Sequence, residues 1–372
     1  MKIGITCHPS AGGSGILATE LGLALAERGH IVHFVTFEPP FRLKEFHANV
    51  FKHYVTPIEY PVLRQPLGGL ALATRIADIA AEYEIELWHA HYAIPNAASA
   101  HVAHNILPEE KRFKIVTTLH GTDITLVGAD PSLFRLTKHV IECSDAVTAV
   151  SNWLARETER EFDLSKPVQT IYNFVDTQRF RTQTPEECCM AKGDERFVMH
   201  ISNFRAVKRV TDVVRVFKKI ADQVPARLIM VGDGPERLSA VGVAKQLGID
   251  DKIKHLGEQE DIERILPCAD LVIQPSEHES FGLVALEAMA CEVPVIGTAS
   301  GGICEVVEHG VTGFLCEVGD IDAMAEYAVQ ILTHADQARK MGHLARKRAC
   351  GVFSKPNIVV QYELLYQELT GH

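Results

Sequence analysis

Three groups of residues in this chain have the types and spacing to act on a ligand that is both phosphorylated and polyhydroxylated. Glu279 and Glu287 form a Glu-x7-Glu element within Ser276-Glu-His-Glu-Ser-Phe-Gly-Leu-Val-Ala-Leu-Glu-Ala-Met-Ala-Cys-Glu-Val-Pro294. The pattern predicts a polar turn running into a small-residue helix near Phe281. Gly282 would let backbone N–H groups at the helix mouth approach a ligand closely. Carboxylates there suit sugar hydroxyls, and the N–H groups suit phosphate. The second group is Ser202-Asn203-Phe204-Arg205-Ala206-Val207-Lys208-Arg209, between a strand and a helix. Its three cations could neutralise a departing diphosphate. The third lies in the first half of the chain. Gly12-Gly13-Ser14-Gly15 follows the first strand as a candidate anion cradle. His120 ends a later strand ahead of Gly121-Thr122-Asp123, well placed to meet a ligand hydroxyl.

Other chemistries are disfavoured by the same residues. The glycine loop departs from the dinucleotide fingerprint, because Ile16 and Ala18 stand where its last glycine would be, and no acidic residue closes the second strand. His89-Ala90-His91 puts two imidazoles on one strand face, but no third metal ligand is evident. Asp320-Ile321-Asp322 precedes an amphipathic helix, where Asp320 reads as an N-cap. No cofactor and no metal are therefore expected.

The elements that must position these groups follow from length and periodicity. At 372 residues the chain exceeds the size at which single cores stop growing, so two domains are expected. It is 47% hydrophobic and 23% charged, as ordinary globular proteins are. A net charge of −11 with scattered Lys and Arg gives no footprint for nucleic acid. A strand predicted from Lys2 leaves no room for a signal peptide, and no apolar run is long enough for a membrane span. The nine cysteines are odd in number and lack framework spacing, which reads as reduced thiols in a cytoplasmic protein. Vicinal Cys188-Cys189 could close only a strained ring.

Strands predicted over 2–7, 31–37, 86–91, 114–119, 146–151 and 168–172 alternate with helices over 16–28, 70–82, 96–107, 132–144 and 152–162. The polar stretch 182–195 interrupts the alternation. A second series follows, with strands at 197–201, 227–231, 253–256, 271–274, 293–298 and 313–318, and a helical tail interrupted by Pro356. Strands alternating with helices mean parallel sheets covered on both faces. The expected fold class is α/β with two doubly wound domains facing a cleft. These are residues 1–172 plus about 356–372, and 173–355, with the last helix (358–369) packing back on the first domain.

The string from Glu279 to Cys291 closely resembles the donor-site signature of the retaining GT-B glycosyltransferases of family 4, and the resemblance covers essentially the whole chain. Ile171-Tyr-Asn-Phe-Val-Asp176 looks like that family's interdomain crossing. Val231-Gly-Asp-Gly-Pro235 and Gly301-Gly302 look like its second-domain landmarks. Three strings narrow the match to members that act on L-malate: Cys7 to Gly15, His89 to Pro95, and Thr117 to Thr125. The resemblance implies metal-free transfer of N-acetylglucosamine from UDP-N-acetylglucosamine to L-malate with retention, the first step of bacillithiol biosynthesis. It implies that Glu287 holds the donor ribose and Glu279 a sugar hydroxyl. Backbone groups from Phe281, Gly282, Leu283 and Val284 would meet the donor with Ser202, Asn203, Lys208 and Arg205. His120 would contact the sugar's primary hydroxyl and Gly13 the diphosphate. Asn203 stands where the broader family has Arg, so Arg205 is the candidate substitute, and Cys291-Glu292 replaces the usual Cys-Gly.

Two carboxylates on malate demand cations or N–H groups in an acceptor pocket. Ser14, Tyr92, Thr122 and the basic pair Arg135 and Lys138, three residues apart on one helix, are the candidates. A lipid or polysaccharide acceptor is the competing enzyme reading. Against it, the first domain shows no basic amphipathic helix for membrane contact, so no stable membrane association is expected. A non-catalytic sugar-binding protein is the third reading. Homo-oligomerisation is left open.

Overall fold

The computed structural model describes residues 1–8, 13–40, 43, 45–57, 67–184, 187–188, 190 and 193–372. It divides into two compact units, Met1–Asn173 with Pro356–His372, and Phe174–Lys355.

The first unit is built on a seven-stranded parallel sheet: β1 (Lys2–Thr6), β2 (Ile31–Thr36), β3 (Val50–Tyr54), β4 (Leu87–His91), β5 (Lys114–Leu119), β6 (Ala146–Ala149) and β7 (Gln169–Thr170). The order is β3-β2-β1-β4-β5-β6-β7, with Ile3 opposite both Val32 and Leu87. Strands covered on both faces are largely apolar, which is why Ile3, Ile5, Leu87, Trp88 and Val116 are all buried. Edge strand β3 had no sequence expectation, because Val-Phe-Lys-His-Tyr is largely exposed and lacks a core-strand composition. The helix Lys355–Thr370 packs on this unit through buried Tyr362 and Tyr366, and its Glu363 accepts from Arg28 Nη2 at 2.5 Å and pairs with His30 at 2.9 Å. The helical tail breaks where Pro356 was expected to interrupt it: the helix Ala335–Val352 ends at Phe353 and Ser354, just before Pro356. Pro356 occupies the first turn of the helix Lys355–Thr370, where its missing N–H costs nothing.

The second unit carries a six-stranded parallel sheet of β8 (Arg196–Ile201), β9 (Ala226–Val231), β10 (Ile253–Gly257), β11 (Leu271–Gln274), β12 (Val295–Thr298) and β13 (Gly313–Cys316), ordered β10-β9-β8-β11-β12-β13. Its core joins Val213, Phe217 and Ile220 of the helix Val210–Ala221 to Leu228, Met230, Met324 and Ala328. Asp320 accepts from Ala323 N at 3.0 Å and so caps the helix Ile321–Thr333.

One expectation about cysteine is corrected. Cys188 and Cys268, 80 residues apart, are disulfide-bonded, because the connecting segment returns to the short turn Leu266–Cys268. Spacing along the chain carries no trace of that pairing. Cys189, and residues 185–186 and 191–192 of the predicted connection, lie outside the described residues.

In each sheet the strand order reverses beside the first strand, between β1 and β4 and again between β8 and β11. Connections from the two neighbouring strands leave on opposite faces there, opening a crevice at the carboxyl ends where ligands of such sheets bind.

Candidate functional site

At the switch point of the second unit, the loops following β8 and β11 are tied by a backbone bond from Glu277 N to Val207 O at 2.8 Å. This places Lys208, one residue beyond Val207, beside Glu279. Lys208 Nζ donates to Glu279 Oε1 at 2.6 Å, and Ser276 Oγ donates to the same oxygen at 2.7 Å. The two charged side chains are only 21% and 12% exposed. On its other flank the loop is held by Gly302 N donating to Glu279 O at 2.7 Å, and by Thr298 Oγ1 donating to Ser276 O. Gly301 sits there at φ +83°, its backbone so close to the Glu279 carbonyl that any side chain would collide.

The helix that follows is Leu283–Ala290, two residues later than expected, with Gly282 as its N-cap at φ +95°. The first N–H groups of a helix have no partner inside it, and Gly282 offers no side chain to cap them. N–H groups in this position are suited to meet an anion. Phe281 is buried edge-on against Phe353, so only its backbone is available for a ligand. Glu287 lies little more than one turn into the helix. Burial raises its carboxyl to about 8, the negative charge of Glu263 pushes the same way, and Arg179, paired with Glu263, opposes them.

Ser202 is committed locally. His200 Nδ1 donates to Ile273 O at 2.9 Å, leaving its Nε2 to accept from Ser202 Oγ at 2.8 Å, and Phe204 N donates to that hydroxyl at 3.3 Å. Burial holds His200 down to about 4, so it is neutral. Sequence reasoning missed His200, whose only signal was a polar residue inside an apolar strand. Asn203 and Arg205 are both exposed on the same turn, and Arg205 has no side-chain partner among the described residues.

In the first unit the loops after β1, β4 and β5 gather a second cluster. Ser14 Oγ donates to Tyr92 OH at 3.2 Å, and His8 meets the Tyr92 ring edge-on at 4.9 Å. Tyr92, at φ +82°, stacks on His120 with centroids 5.2 Å apart. Asp123 organises the cluster and was also missed as such. Fully buried, it accepts from Ala93 N at 3.0 Å, His120 N at 3.1 Å and Gly121 N at 2.9 Å. Burial lifts its carboxyl to about 6 against those three donors, so it is ionised at neutral pH. Burial, with the nearby charge of His8, takes His120 down to about 3. Thr122 opens the short helix Thr122–Thr125 with its side chain half-buried. Gly13 and Ser14 begin the helix Gly13–Glu27, whereas Gly12 of the expected cradle lies outside the described residues.

The basic pair does not behave as a pair. Lys138 Nζ donates to Asp163 O at 2.8 Å, serving the carboxyl end of the helix Asn152–Phe162, with Glu142 3.9 Å away. Its ammonium is thus engaged in structure, which weakens the expected acceptor role. Arg135 is exposed and has no side-chain partner among the described residues. His89 engages both ring nitrogens, with Thr118 Oγ1 and Tyr366 OH, each at 2.6 Å. Among the described residues no group of three or more His, Cys, Asp or Glu could hold a metal ion, and no helix is long and apolar enough to cross a membrane.

Residues 11–179 match the family described as Glycosyltransferase Family 4, and residues 190–348 match Glycosyl transferases group 1. The chain is 48% identical over 373 residues to the N-acetyl-alpha-D-glucosaminyl L-malate synthase of Bacillus anthracis, covering 99% of this chain and 97% of the relative. It superposes with a TM-score of 0.82 and 22% identity on sucrose-phosphate synthase from Thermosynechococcus elongatus, covering 100% of this chain and 99% of that one. A TM-score of 0.82 and 22% identity also relate it to Anabaena Alr3699/HepE in complex with UDP and glucose, over 99% of this chain and 100% of that one. The structural likenesses establish the GT-B architecture.

Proposed function

This chain belongs to glycosyltransferase family 4, and from that premise we propose that it transfers N-acetylglucosamine from UDP-N-acetylglucosamine to the hydroxyl of L-malate, with retention of the α configuration and without a metal. The product, N-acetyl-α-D-glucosaminyl L-malate, would enter bacillithiol biosynthesis. The observation that carries the reading is the Lys208–Glu279–Ser276 cluster beside the uncapped start of the helix Leu283–Ala290. A cation, a helix mouth and a carboxylate at one switch point match the diphosphate and hydroxyls of a nucleotide sugar. Glu287 holds the ribose, Glu279 a sugar hydroxyl, and the N–H groups of Leu283 and Val284 the donor phosphates. The first unit supplies His120 for the sugar's primary hydroxyl, and Ser14, Tyr92, Thr122 and Arg135 for the malate.

The chemistry asks little of a general base. The bond from the anomeric carbon to the diphosphate oxygen breaks as the bond to the malate oxygen forms on the same face. The malate hydroxyl proton passes to the leaving diphosphate, whose charge is stabilised by Lys208, Arg205 and the helix N-terminus. No carboxylate has to act as a nucleophile. The test is UDP release from UDP-N-acetylglucosamine with L-malate, inositol phosphate or water as acceptor, chelator present throughout. Release with malate alone, and an α linkage by proton NMR of the product, supports the proposal. Equal release with all three, or a trapped covalent sugar–protein adduct, overturns it.

A further inference from the structure

His120 is joined to a second imidazole that no part of the reading above uses. His91 Nδ1 lies 3.0 Å from His120 Nε2. His91 is buried at the end of β4, and its other nitrogen, Nε2, is buried with no partner among the described residues. The His89 ring lies against it with centroids 4.1 Å apart, and His89 is itself fixed at both nitrogens by Thr118 and Tyr366. The plane of His91 is therefore set from behind. Burial and the neighbouring histidines push both His91 and His120 well down, so both rings are neutral.

Two neutral imidazoles facing each other nitrogen to nitrogen share one proton, and it can sit on either. If His120 Nε2 carried it, His91 would have to bear its own proton on Nε2, a buried N–H with no acceptor. If His91 Nδ1 carries it, His91 Nε2 is a bare lone pair. Buried N–H groups without acceptors are rarer and costlier than acceptors left without donors. From this we infer that His91 is a positioning residue that fixes the tautomer of His120, donating from Nδ1 so that His120 carries its proton on Nδ1. That nitrogen of His120 has no partner among the described residues, so the ring offers an N–H to its ligand. The ligand atom it meets must be an acceptor. The assignment of that atom as the primary hydroxyl oxygen of the donor sugar rests on the proposed function; the tautomer does not.

Nitrogen-15 spectroscopy of the imidazoles in the full-length protein tests the inference, with His120 assigned through the signals lost in His120→Gln. The expected spectrum shows His120 protonated at Nδ1. His91→Asn, whose carboxamide N–H takes the place of the Nδ1–H, keeps that state, and His91→Phe mixes the two tautomers. A wild-type His120 protonated at Nε2 overturns the inference, whatever the variants do. Turnover gives a second readout. His91→Phe should lower kcat/KM about tenfold with UDP-N-acetylglucosamine and leave turnover of its 6-deoxy analogue unchanged, with His91→Asn restoring the loss. An equal loss with both donors overturns the positioning role. If no nucleotide sugar is turned over, the proposed function falls while the wild-type spectrum still decides the tautomer.

Discussion

Lys208 and Glu279 are 71 positions apart in sequence and meet at 2.6 Å, each largely shielded from water. The ammonium is thus shielded from water and paired within the protein. On the proposed function, a diphosphate at this position would exchange one anionic partner for another, so little reorganisation would be needed as charge develops on the leaving group.

Replacing Lys208 removes the only cation that reaches Glu279 among the described contacts. Lys208→Ala should lower kcat/KM by about 10²- to 10³-fold, the usual effect of deleting a group that stabilises developing charge. Lys208→Arg should not restore it, because the forked guanidinium does not reproduce a point donor in this tight site. Glu279→Gln, which can still accept from Ser276, should cost less, and the double variant should fall short of the sum. Initial rates of UDP release measure all four. A Lys208→Ala enzyme within about twofold of the parent would falsify the assignment.

Glu287 yields a prediction in which pH acts in two opposite directions. Its carboxyl stands near 8 in the folded protein against an ordinary 4.5, so between those values the folded chain holds a proton that the unfolded chain has lost. Stability from this group is full below the unfolded value and is lost as pH rises through the folded value. Affinity for UDP should run the other way, because ribose hydroxyls donate best to the ionised carboxylate, and it should increase up to about pH 8. Glu287→Gln should flatten both trends. Urea unfolding and UDP titration calorimetry at several pH values measure them, and parallel slopes would sink the idea.

Asp123 accepts three backbone N–H groups from the turns that carry Tyr92 and His120. Asparagine keeps one oxygen but turns an N–H toward at least one of those donors. Asp123→Asn should therefore destabilise the first unit by about 1–3 kcal/mol. It should also reduce turnover more than it changes UDP affinity, since the nucleotide is assigned to the other unit. Denaturant unfolding followed by Trp88 and Trp153 fluorescence, with UDP titration alongside, checks both parts. Unchanged stability would show that the buried carboxyl is dispensable.

Arg135 and Lys138 separate a ligand-binding cation from a structural one. Lys138 is engaged with Asp163 O, so Lys138→Ala should cost about 0.5–1.5 kcal/mol of stability and leave the KM for malate nearly unchanged. Arg135→Ala should raise that KM by about tenfold or more, the loss expected for a charge-assisted contact to a carboxylate. The reverse result would return the acceptor role to Lys138.

The parts of the architecture that depend on local periodicity were legible in advance. The helix Asn152–Phe162 and strands Lys114–Leu119 and Leu271–Gln274 have the bounds their patterns predict. The cluster at Glu279 was legible because its residues lie in one string and Lys208 in another, each at a strand's carboxyl end. What stayed hidden depends on contacts between distant segments. β3 is an exposed edge whose pairing to β2 no composition announces. The Cys188–Cys268 bond, the engagement of Lys138 by another helix and the support of Ser202 by His200 all join neighbours in space. The break in the helical tail at Phe353 and Ser354 was legible from Pro356, which is tolerated in a helix's first turn but not in its interior.

The helix Lys355–Thr370 gives the molecule an order of assembly that its order of sequence conceals. The second unit is one uninterrupted stretch, Phe174–Lys355, and has all its parts once Lys355 is made. The first unit, although its sheet is translated earlier, waits for Tyr362 and Tyr366 to cover its sheet and for the Tyr366 hydroxyl to meet His89. During synthesis the older half of the chain is thus the later one to close. The imidazoles behind His120 stay wet until the ribosome has delivered this helix.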